Sequence, residues 1–492
     1  MQYSYARCPR INGDVYILGA TRVTLVRMLS RRHALALIGA AASVSAAPHP
    51  SARFIARPKA LPAGAVTHDW KTFLGPTGDG HSTETKLLRD LPPKLVWEFS
   101  KGTGYSSPAI SGNTLVYFHR QGSEERVEAL HPETAEKLWD FAYPTAFEDR
   151  YGYNNGPRSS PVIDADRVYT YGAEGKLHCL NLATGKLIWQ RDIRADFKVP
   201  QDFFGTASSP LIEANRLILN VGAPNGGACV AAFDKLTGKT LWSAPAGPDW
   251  GPSYSTPVAA TIHGKRRILV LAGGESKPPT GGLVVVDPAS GAVDCTFPWR
   301  SRSYESVNAS SPVVIGNQVF VSASYRTGGA TVAIQPDGKC KQVWTSLEIG
   351  THFNTAIHQG GYLYAFDGRN EPDASLVCVD VATGKVAWRE TLEWQEDLKL
   401  TDGSARKQPM SPYRGTLMAV DGRFLCLGEM GHLLWLDLSP KGCKVMSRTW
   451  LFAARETWSL PVLCRGLLYV SQHSRDLLAG TQPRLLCYDL RG

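Results

Sequence analysis

Asn181-Leu-Ala-Thr-Gly-Lys-Leu-Ile-Trp189 is one of three copies of a nine-residue pattern, the others being Asp234-Lys-Leu-Thr-Gly-Lys-Thr-Leu-Trp242 and Asp380-Val-Ala-Thr-Gly-Lys-Val-Ala-Trp388. In each copy the first side chain can accept a hydrogen bond from the backbone two residues on, and the glycine can take a positive φ. A β-strand then carries the tryptophan into a packed face. The pattern predicts a hairpin between the third and fourth strands of a repeating β-unit. Degenerate copies keep the same frame: Thr134 with Ala135 and Trp139, Ser290-Gly291 with Cys295, and Asp337-Gly338 with Trp344.

Each unit opens with a Ser/Thr-Pro pair, or a weaker equivalent, that leads into a short apolar strand. Proline is tolerated at the first residue of a strand, where its missing N–H breaks no ladder. The openings are Ser107-Pro108, Ser160-Pro161, Ser209-Pro210, Thr256-Pro257 and Ser311-Pro312, with weaker ones at Asn354-Thr355, Gly415-Thr416 and Leu460-Pro461. Their mean spacing of about fifty residues suits four short strands per unit. Eight openings therefore predict eight blades.

Two incomplete pieces at the ends of the repeat complement each other. The last copy stops at Leu485-Leu-Cys-Tyr-Asp489 without its tryptophan strand, whereas Lys94-Leu-Val-Trp97-Glu-Phe is such a strand without a blade. We expect the N-terminal strand to complete the last blade, which would close the ring and hide both edges. An open β-solenoid is the alternative, but it does not account for the complementary pieces. The predicted fold is all-β, an eight-bladed β-propeller of four-stranded antiparallel blades over residues 95–490.

Composition excludes several other classes of protein. Charged residues make up 20% of the chain and hydrophobic residues 43%, with 47 Gly and 32 Pro, which argues against a disordered chain, a coiled coil or a multi-span membrane protein. Much of the net charge of +9 comes from six arginines before Pro48. The other basic residues are scattered rather than clustered with aromatic residues, so we expect no nucleic-acid partner.

The N-terminal 47 residues have the features of an export signal. Ser30-Arg31-Arg32 precedes an apolar run over residues 34–44, and small residues follow up to Ala47. The arginine pair predicts a twin-arginine signal, although Ala34 stands where such signals usually carry Phe or Leu, which leaves Sec export as the alternative. A buried helix is the alternative to export, and Met28 could be the true start, with residues 1–27 untranslated. We expect a cleaved signal at residues 1–47, an irregular arm at 48–94, and a periplasmic or secreted mature chain without a transmembrane segment.

Cysteine spacing excludes some redox and metal motifs. Cys179, Cys378 and Cys487 share one strand setting that predicts buried thiols, and the sequence contains neither a CxxC motif nor two adjacent cysteines. The histidines show no HxxxH or HxxH pair, so no zinc or other metal site is predicted. Residues 367–373 carry several oxygen ligands without the spacing of a calcium loop, and we interpret them as a solvated turn.

The Thr-Gly-Lys-x-x-Trp hairpins resemble the tryptophan-docking repeat of the pyrroloquinoline quinone (PQQ) type propellers. Quinoprotein alcohol dehydrogenases and the outer-membrane assembly lipoprotein BamB share this repeat. Trp70-Lys-Thr-Phe73-Leu-Gly75-Pro76-Thr-Gly-Asp79-Gly80 and Gly104-Tyr-Ser-Ser-Pro108 are similar to segments of exported PQQ-like propeller proteins. Those proteins commonly have Arg before the Gly-Pro, whereas this chain has Leu74. The resemblance covers residues 70–490 and implies the fold more strongly than a function.

The residues just before each opening are expected to surround one mouth of the central channel. The links between blades and the turns between second and third strands share that face, and the Thr-Gly hairpins lie on the other. The polar and aromatic residues in these positions are Tyr105, Asn154, Asn155, Arg158, Tyr254, Glu305, Asn308, His352, Asn354, Arg414 and Trp458. Seven of them form the predicted ligand site, namely Tyr105, Arg158, Tyr254, Asn308, Asn354, Arg414 and Trp458. No catalytic residue is assigned.

The sequence supports two candidate functions. The first is an exported scaffold that binds a small molecule, a glycan or a protein through the channel mouth. The second, implied by the resemblance, is a PQQ-dependent dehydrogenase of an alcohol or sugar, with Ca²⁺ as Lewis acid. Its cations would come from Arg158, Arg326 and Arg414, its aromatic platform from Trp458 or Trp250, and its calcium ligands in part from Glu305 with Asn308. Such dehydrogenases commonly cover the cofactor with a disulfide between adjacent cysteines, and this chain has no adjacent pair.

Overall fold

The computed structural model describes residues 49–492, apart from residues 202, 224–225, 247–249, 370–372 and 400–403. The predicted export signal at 1–47 lies outside the described residues. Within the described part of the chain the one helix, Ile193–Phe197, is capped by the Asp192 side chain, which accepts a hydrogen bond from the Ala195 N–H. No helix in that part is long and apolar enough to cross a bilayer.

Eight four-stranded antiparallel sheets follow one another along the chain and confirm the predicted propeller. From the channel outward, the strands of blades 1 to 4 are Ala109–Ser111, Thr114–Gln121, Glu124–Leu130 and Lys137–Pro144; Val162–Asp164, Arg167–Tyr171, Lys176–Asn181 and Leu187–Asp192; Leu211–Glu213, Arg216–Asn220, Val230–Asp234 and Thr240–Ala244; Val258–Ile262, Lys265–Ala272, Gly282–Val286 and Val293–Pro298. Those of blades 5 to 8 are Val313–Ile315, Gln318–Ala323, Gly328–Ile334 and Cys340–Ser346; Ile357–Gln359, Tyr362–Asp367, Ser375–Asp380 and Val386–Glu390; Thr416–Val420, Arg423–Leu427, His432–Ser439 and Gly442–Trp450; Val462–Cys464, Leu467–Gln472, Arg484–Asp489 and Lys94–Ser100.

The ring closes as predicted. Lys94–Ser100 pairs antiparallel with Arg484–Asp489 and supplies the outer strand that the last blade lacks. The Trp97 side chain is fully buried at this junction. Ala52–Phe54 then pairs with Lys94–Ser100 as a fifth strand, so the backbone edge of this blade is covered by the chain itself.

The tryptophan of the repeat joins six of the eight blades to the next one. Its Nε1–H donates to a carbonyl in the following hairpin, at 2.7 Å from Trp139 to Leu182 and 3.1 Å from Trp189 to Lys235. A bulge just after the residue opposite the tryptophan increases the local twist in every blade. The hairpin glycine packs beneath the indole, and a Cβ atom on Gly185 would lie 2.5 Å from the Trp139 ring. The glycine is therefore required both for its positive φ and for this close approach.

Two junctions between blades differ from that pattern. In blade 4 Cys295 takes the tryptophan position and forms a disulfide with Cys340 of blade 5. In blade 7 Ser447 takes it, and its hydroxyl donates to the Arg89 carbonyl at 2.5 Å. The Nε1–H of Trp435 donates to the Leu88 carbonyl at 3.1 Å. The N-terminal arm thus completes the junction of blade 7. The predicted buried thiols are confirmed at all three positions, Cys179, Cys378 and Cys487.

The arm before the ring contacts several blades. Trp70 bridges Ile110 of blade 1, and His81–Ser82 runs parallel to the inner strand of blade 7. Between these points the Lys71 carbonyl accepts from the Ile163 N–H of blade 2 at 2.9 Å. A separate two-stranded hairpin, Trp394–Lys399 with Ala405–Met410, is inserted between blades 6 and 7.

Candidate functional site

The Ser/Thr-Pro openings form a hydrogen-bonded ladder around part of the channel. The Ser107 N–H donates to Ser160 Oγ at 3.1 Å, the Ser160 N–H to Ser209 Oγ at 2.9 Å, and the Ser209 N–H to Thr256 Oγ1 at 3.1 Å. The Ser311 N–H donates to Thr355 Oγ1 at 3.1 Å in the same way. The hydroxyls of Ser160, Ser209, Thr256 and Thr355 thus tie their openings to the preceding blade, which assigns these four residues to structure rather than chemistry.

A cavity of about 270 Å³ lies at the channel mouth. Six of the seven predicted site residues line it, namely Tyr105, Arg158, Tyr254, Asn354, Arg414 and Trp458. They come from links that precede six different blades. The topological argument therefore brought together residues as far apart in sequence as Tyr105 and Trp458.

Asn308, the seventh predicted residue, does not line the cavity. Its side chain is buried, and Nδ2 donates to the carbonyls of Ala272 at 2.7 Å and Trp299 at 2.9 Å. Its own carbonyl accepts from the Tyr254 N–H at 3.0 Å. Asn308 thus supports the link that carries Tyr254, while its neighbours Val307 and Ala309 line the cavity.

Other residues considered for the mouth also lie away from the cavity. Trp250 is buried in the core between blades 3 and 4, and Glu305 and Arg326 are exposed. Asn154 offers its carbonyl to Arg158 Nη2 at 2.9 Å, and the Asn155 side chain accepts from the Asp149 N–H at 2.9 Å. These two asparagines shape the link that carries Arg158 without contacting the cavity themselves.

The sequence argument missed much of the aromatic lining. Tyr153, Phe204, Tyr325 and Phe353 all line the cavity. The Phe353 and Trp458 ring centres are 5.0 Å apart, and those of Phe204 and Tyr254 are 5.7 Å apart. Two of these residues belong to the pairs Phe203-Phe204 and His352-Phe353 in the links, a composition signal that could have been used. Tyr325 lies in a turn between second and third strands.

Arg158 is held by a carboxylate behind the cavity wall. It forms an ion pair with Asp149, whose side chain is fully buried. Its guanidinium also lies 5.5 Å from the Tyr105 ring centre and 5.7 Å from that of Phe204. The charge of Arg158 is therefore compensated before any ligand arrives, and its planar group adds to the aromatic surface.

Arg414 is held in the same manner on the other side of the mouth. It forms an ion pair with buried Glu429, and its Nε donates to Glu429 Oε2 at 2.9 Å. Glu429 Oε1 also accepts from Trp458 Nε1 at 2.7 Å, so one carboxylate orients both residues. The guanidinium lies 5.1 Å from the Trp458 ring centre. The platform formed by Arg414 and Trp458 is thus preorganised by Glu429.

Two ionisable groups at the mouth have shifted pKa values. Burial, together with the neighbouring charges of Arg414 and Arg369, lowers the pKa of His352 to about 3, so its imidazole is neutral at physiological pH. Burial raises the pKa of Glu456, although the hydrogen bond from Tyr105 opposes this shift. The Tyr105 hydroxyl donates to Glu456 Oε2 at 2.5 Å, and burial with this carboxylate raises the tyrosine pKa.

Sequence comparison finds quinone-dependent dehydrogenases among the relatives of the chain. The dehydrogenase subunit of an alcohol dehydrogenase (quinone) from Gluconobacter oxydans (strain 621H) is 24% identical over 58% of this chain and 39% of that protein. A polyvinylalcohol dehydrogenase from Sphingopyxis sp. (strain 113P3) is 25% identical over 66% of this chain and 48% of that protein. The chain therefore spans less than half the length of these relatives.

Solved structures share the fold at low sequence identity. BamB from Moraxella catarrhalis has a TM-score of 0.51 and 13% identity, covering 81% of this chain and 98% of that one. A quinohemoprotein alcohol dehydrogenase from Comamonas testosteroni has a TM-score of 0.58 and 12% identity, covering 86% and 81%. At these identities the likeness is one of fold alone.

The remaining comparison covers most of the blades. A family model described as outer membrane protein assembly factor BamB matches residues 123–390, which is more than half of the 492 residues. The match runs from blade 1 to the last strand of blade 6 and includes all three full copies of the tryptophan hairpin. The chain therefore belongs to the PQQ-like propeller family described as outer membrane protein assembly factor BamB.

Proposed function

We propose that this protein is an exported binding propeller that holds a ligand in the cavity at its channel mouth. One observation carries the proposal: links from several blades converge on one cavity lined by aromatic rings and by arginines, of which Arg158 and Arg414 are already ion-paired. A largely formed concave site with a few oriented polar groups is the usual form of a ligand-binding site. A small molecule, a glycan or a segment of a protein could occupy such a mouth.

The lining favours binding over catalysis. Among the described residues that line the cavity there is no aspartate or glutamate, and His352, with a pKa of about 3, is a weak base. General acid–base catalysis works best with groups whose pKa lies near the operating pH. The carboxylates of Asp149 and Glu429 lie behind the wall, where they orient the arginines.

A PQQ-dependent dehydrogenase is the second candidate, and the quinone-dependent relatives favour it. The residues present do not fit PQQ with Ca²⁺. Arg158 and Arg414 are already paired with carboxylates, and Glu305 and Asn308, the proposed calcium ligands, lie away from the cavity. Among the described residues no group of three or more metal-ligating side chains is found. We therefore assign no redox step to this site.

We further propose that the chain works in the periplasm or outside the cell. This rests on the twin-arginine-like segment at residues 30–32 and on the outer-membrane role named in the family description. Replacing both arginines by lysine should trap the precursor inside the cell if the twin-arginine pathway carries it. Fractionation followed by N-terminal sequencing should place the cleavage near Ala46 or Ala47.

The binding proposal is tested with a thermal-shift screen of small molecules and glycans on the mature chain. Each hit is then titrated into Trp458→Ala and into Leu236→Ala, a control on an exposed hairpin turn of the opposite face. Loss of the aromatic platform should weaken binding about tenfold or more, and the control should leave it unchanged. Hits that bind Trp458→Ala as tightly as the unmodified chain would contradict the proposal.

The dehydrogenase candidate has its own test. Mature protein is mixed with PQQ and Ca²⁺ and desalted, and quinone absorbance and alcohol-dependent dye reduction are then measured. We expect neither to be retained. Retention with turnover that Arg158→Ala abolishes would replace the binding proposal by the dehydrogenase.

A further inference from the structure

A segment of the N-terminal arm, residues 70–82, lies against the inner strands of blades 1, 2, 6 and 7 at the end of the channel away from the mouth. This segment bridges Ile110 of blade 1 at one end and runs parallel to the inner strand of blade 7 at the other. Gly80 packs so closely against blade 6 that a Cβ atom there would lie 2.4 Å from Ile357 Cδ1. Because the segment contacts inner strands on several sides of the ring, it acts as a floor. The cavity is therefore entered from the mouth.

Leu74 lies at the centre of this floor and is held there by its own backbone. Its φ of 64° is in the left-handed region, which a leucine occupies only when its surroundings hold it there. The Leu74 carbonyl accepts from the Gly80 N–H at 2.9 Å, and Gly75 packs against the Trp70 ring. This turn presents Leu74 and Phe73 to the cavity.

Next to this floor the lining mixes leucines with the hydroxyls of the strand openings. Leu74 is joined there by Leu417, in the inner strand of blade 7, and by Leu460, just before the inner strand of blade 8. Several hydroxyls at the level of the openings are engaged with the backbone of neighbouring blades, namely those of Ser107, Ser209, Thr256 and Thr355. Thr416 Oγ1, which also lines the cavity, has no hydrogen-bond partner among the described residues. The mouth, in contrast, combines aromatic rings with the guanidinium groups of Arg158 and Arg414.

We propose that the ligand combines a flat ring with an uncharged aliphatic chain, and that Leu74 sets the length of chain that fits. The ring would stack at the mouth beside Trp458, and the chain would extend down to Leu74. A charged group at the end of the chain is disfavoured, since Phe73 and Leu74 offer it no partner. This inference rests on the proposed function, because it describes the ligand of the same cavity.

The test uses calorimetric titration of 4-alkylphenols from phenol to 4-octylphenol into the mature chain. Each methylene that packs against the leucines should tighten binding about fourfold until the chain meets Leu74, beyond which affinity should fall. Leu74→Ala should move the best chain length upward by two or three carbons, and Leu236→Ala should leave it unchanged. An affinity that is independent of chain length would overturn the proposal. An optimum that does not move in a folded Leu74→Ala variant would do the same.

A measurement on the unmodified chain keeps the proposal testable if Leu74→Ala fails to fold. A 4-alkylphenol with an ammonium group at the end of its chain should bind at least a hundredfold more weakly than its uncharged counterpart. Equal affinities would overturn the proposal.

The two proposals fail in different ways. If Trp458→Ala weakens binding but chain length has no effect, only the inference about Leu74 falls. If chain length matters but Trp458→Ala does not, the ring does not lie at the mouth and both proposals fall. If no alkylphenol binds the unmodified chain, the inference about ligand class is wrong, and the independent ligand screen still decides the proposed function.

Discussion

The two faces of this propeller use aromatic residues and charges in opposite ways. On the hairpin face the same contact recurs at four junctions, a tryptophan that packs on a glycine and donates to a neighbouring carbonyl. On the mouth face each link differs, and buried carboxylates such as Asp149 and Glu429 hold arginines in place. The repeated face buries apolar surface, which stabilises the ring. The mouth keeps ionisable groups away from water, which costs stability and is typical of a functional site.

The largest expected effect comes from removing the strand that closes the ring. Deletion of residues 94–99 removes buried Trp97 and exposes the Arg484–Asp489 edge. We expect the melting temperature to fall by about 10 °C or more, with aggregation. Phe54→Ala, in the exposed outermost strand, should change it by only a degree or two. An unchanged melt of the deletion variant would mean that the ring does not depend on this closure.

The second-largest effect on stability should come from breaking the ion pair between Arg414 and Glu429 at the mouth. Arg414→Met leaves the buried Glu429 without its main ion-pair partner and should lower the free energy of unfolding by about 3 kcal/mol. Adding Glu429→Gln removes the uncompensated charge while keeping an acceptor for Trp458, so the double variant should recover more than half of the loss. Urea denaturation of the two single variants and the double variant gives the coupling energy. Strictly additive effects would show that the pair is not coupled.

A smaller effect on stability should distinguish a hairpin-face glycine that packs against a tryptophan from one that does not. Gly185 and Gly264 have similar φ values of 69° and 72°, but a Cβ atom would collide with Trp139 only at Gly185. Gly264→Ala should cost about 1 kcal/mol for its backbone conformation. Gly185→Ala should cost about 2 kcal/mol more, because the indole must move. Equal losses in urea denaturation would mean that the tryptophan contact is not tight.

The smallest effect concerns Glu456 and depends on pH. Its folded-state pKa is raised above the ordinary value, so its contribution to stability is present at low pH and is lost as the pH rises through the folded-state pKa. Glu456→Gln should therefore stabilise the protein near neutral pH, by about 1 kcal/mol or less. The gain should vanish as the pH falls below 4.5, the ordinary value of the group. Glu305→Gln, at an exposed position of the same face, is the control, and a pH-independent gain would contradict the expectation.

Much of the fold was predictable because its rules are local. A Thr-Gly turn, a strand-opening proline and a spacing of about fifty residues can each be read within one unit. The residues around the mouth were nearly as predictable from the sequence, because the strand order determines which links share a face. Asn308 shows the limit of that reasoning, since its position in a link is correct while its side chain is directed to the Ala272 and Trp299 carbonyls.

The sequence by itself determined the blade, the number of blades and the closure of the ring, because periodic turn chemistry and alternation repeat until they can be recognised. Only the tertiary structure decided which charges are compensated and where the cavity ends. Arg414 meets Glu429, and Leu74 meets the inner strands of distant blades, through contacts that occur once in the chain. A contact without a repeat and between residues far apart leaves no local pattern, so it appears only when the whole ring has folded.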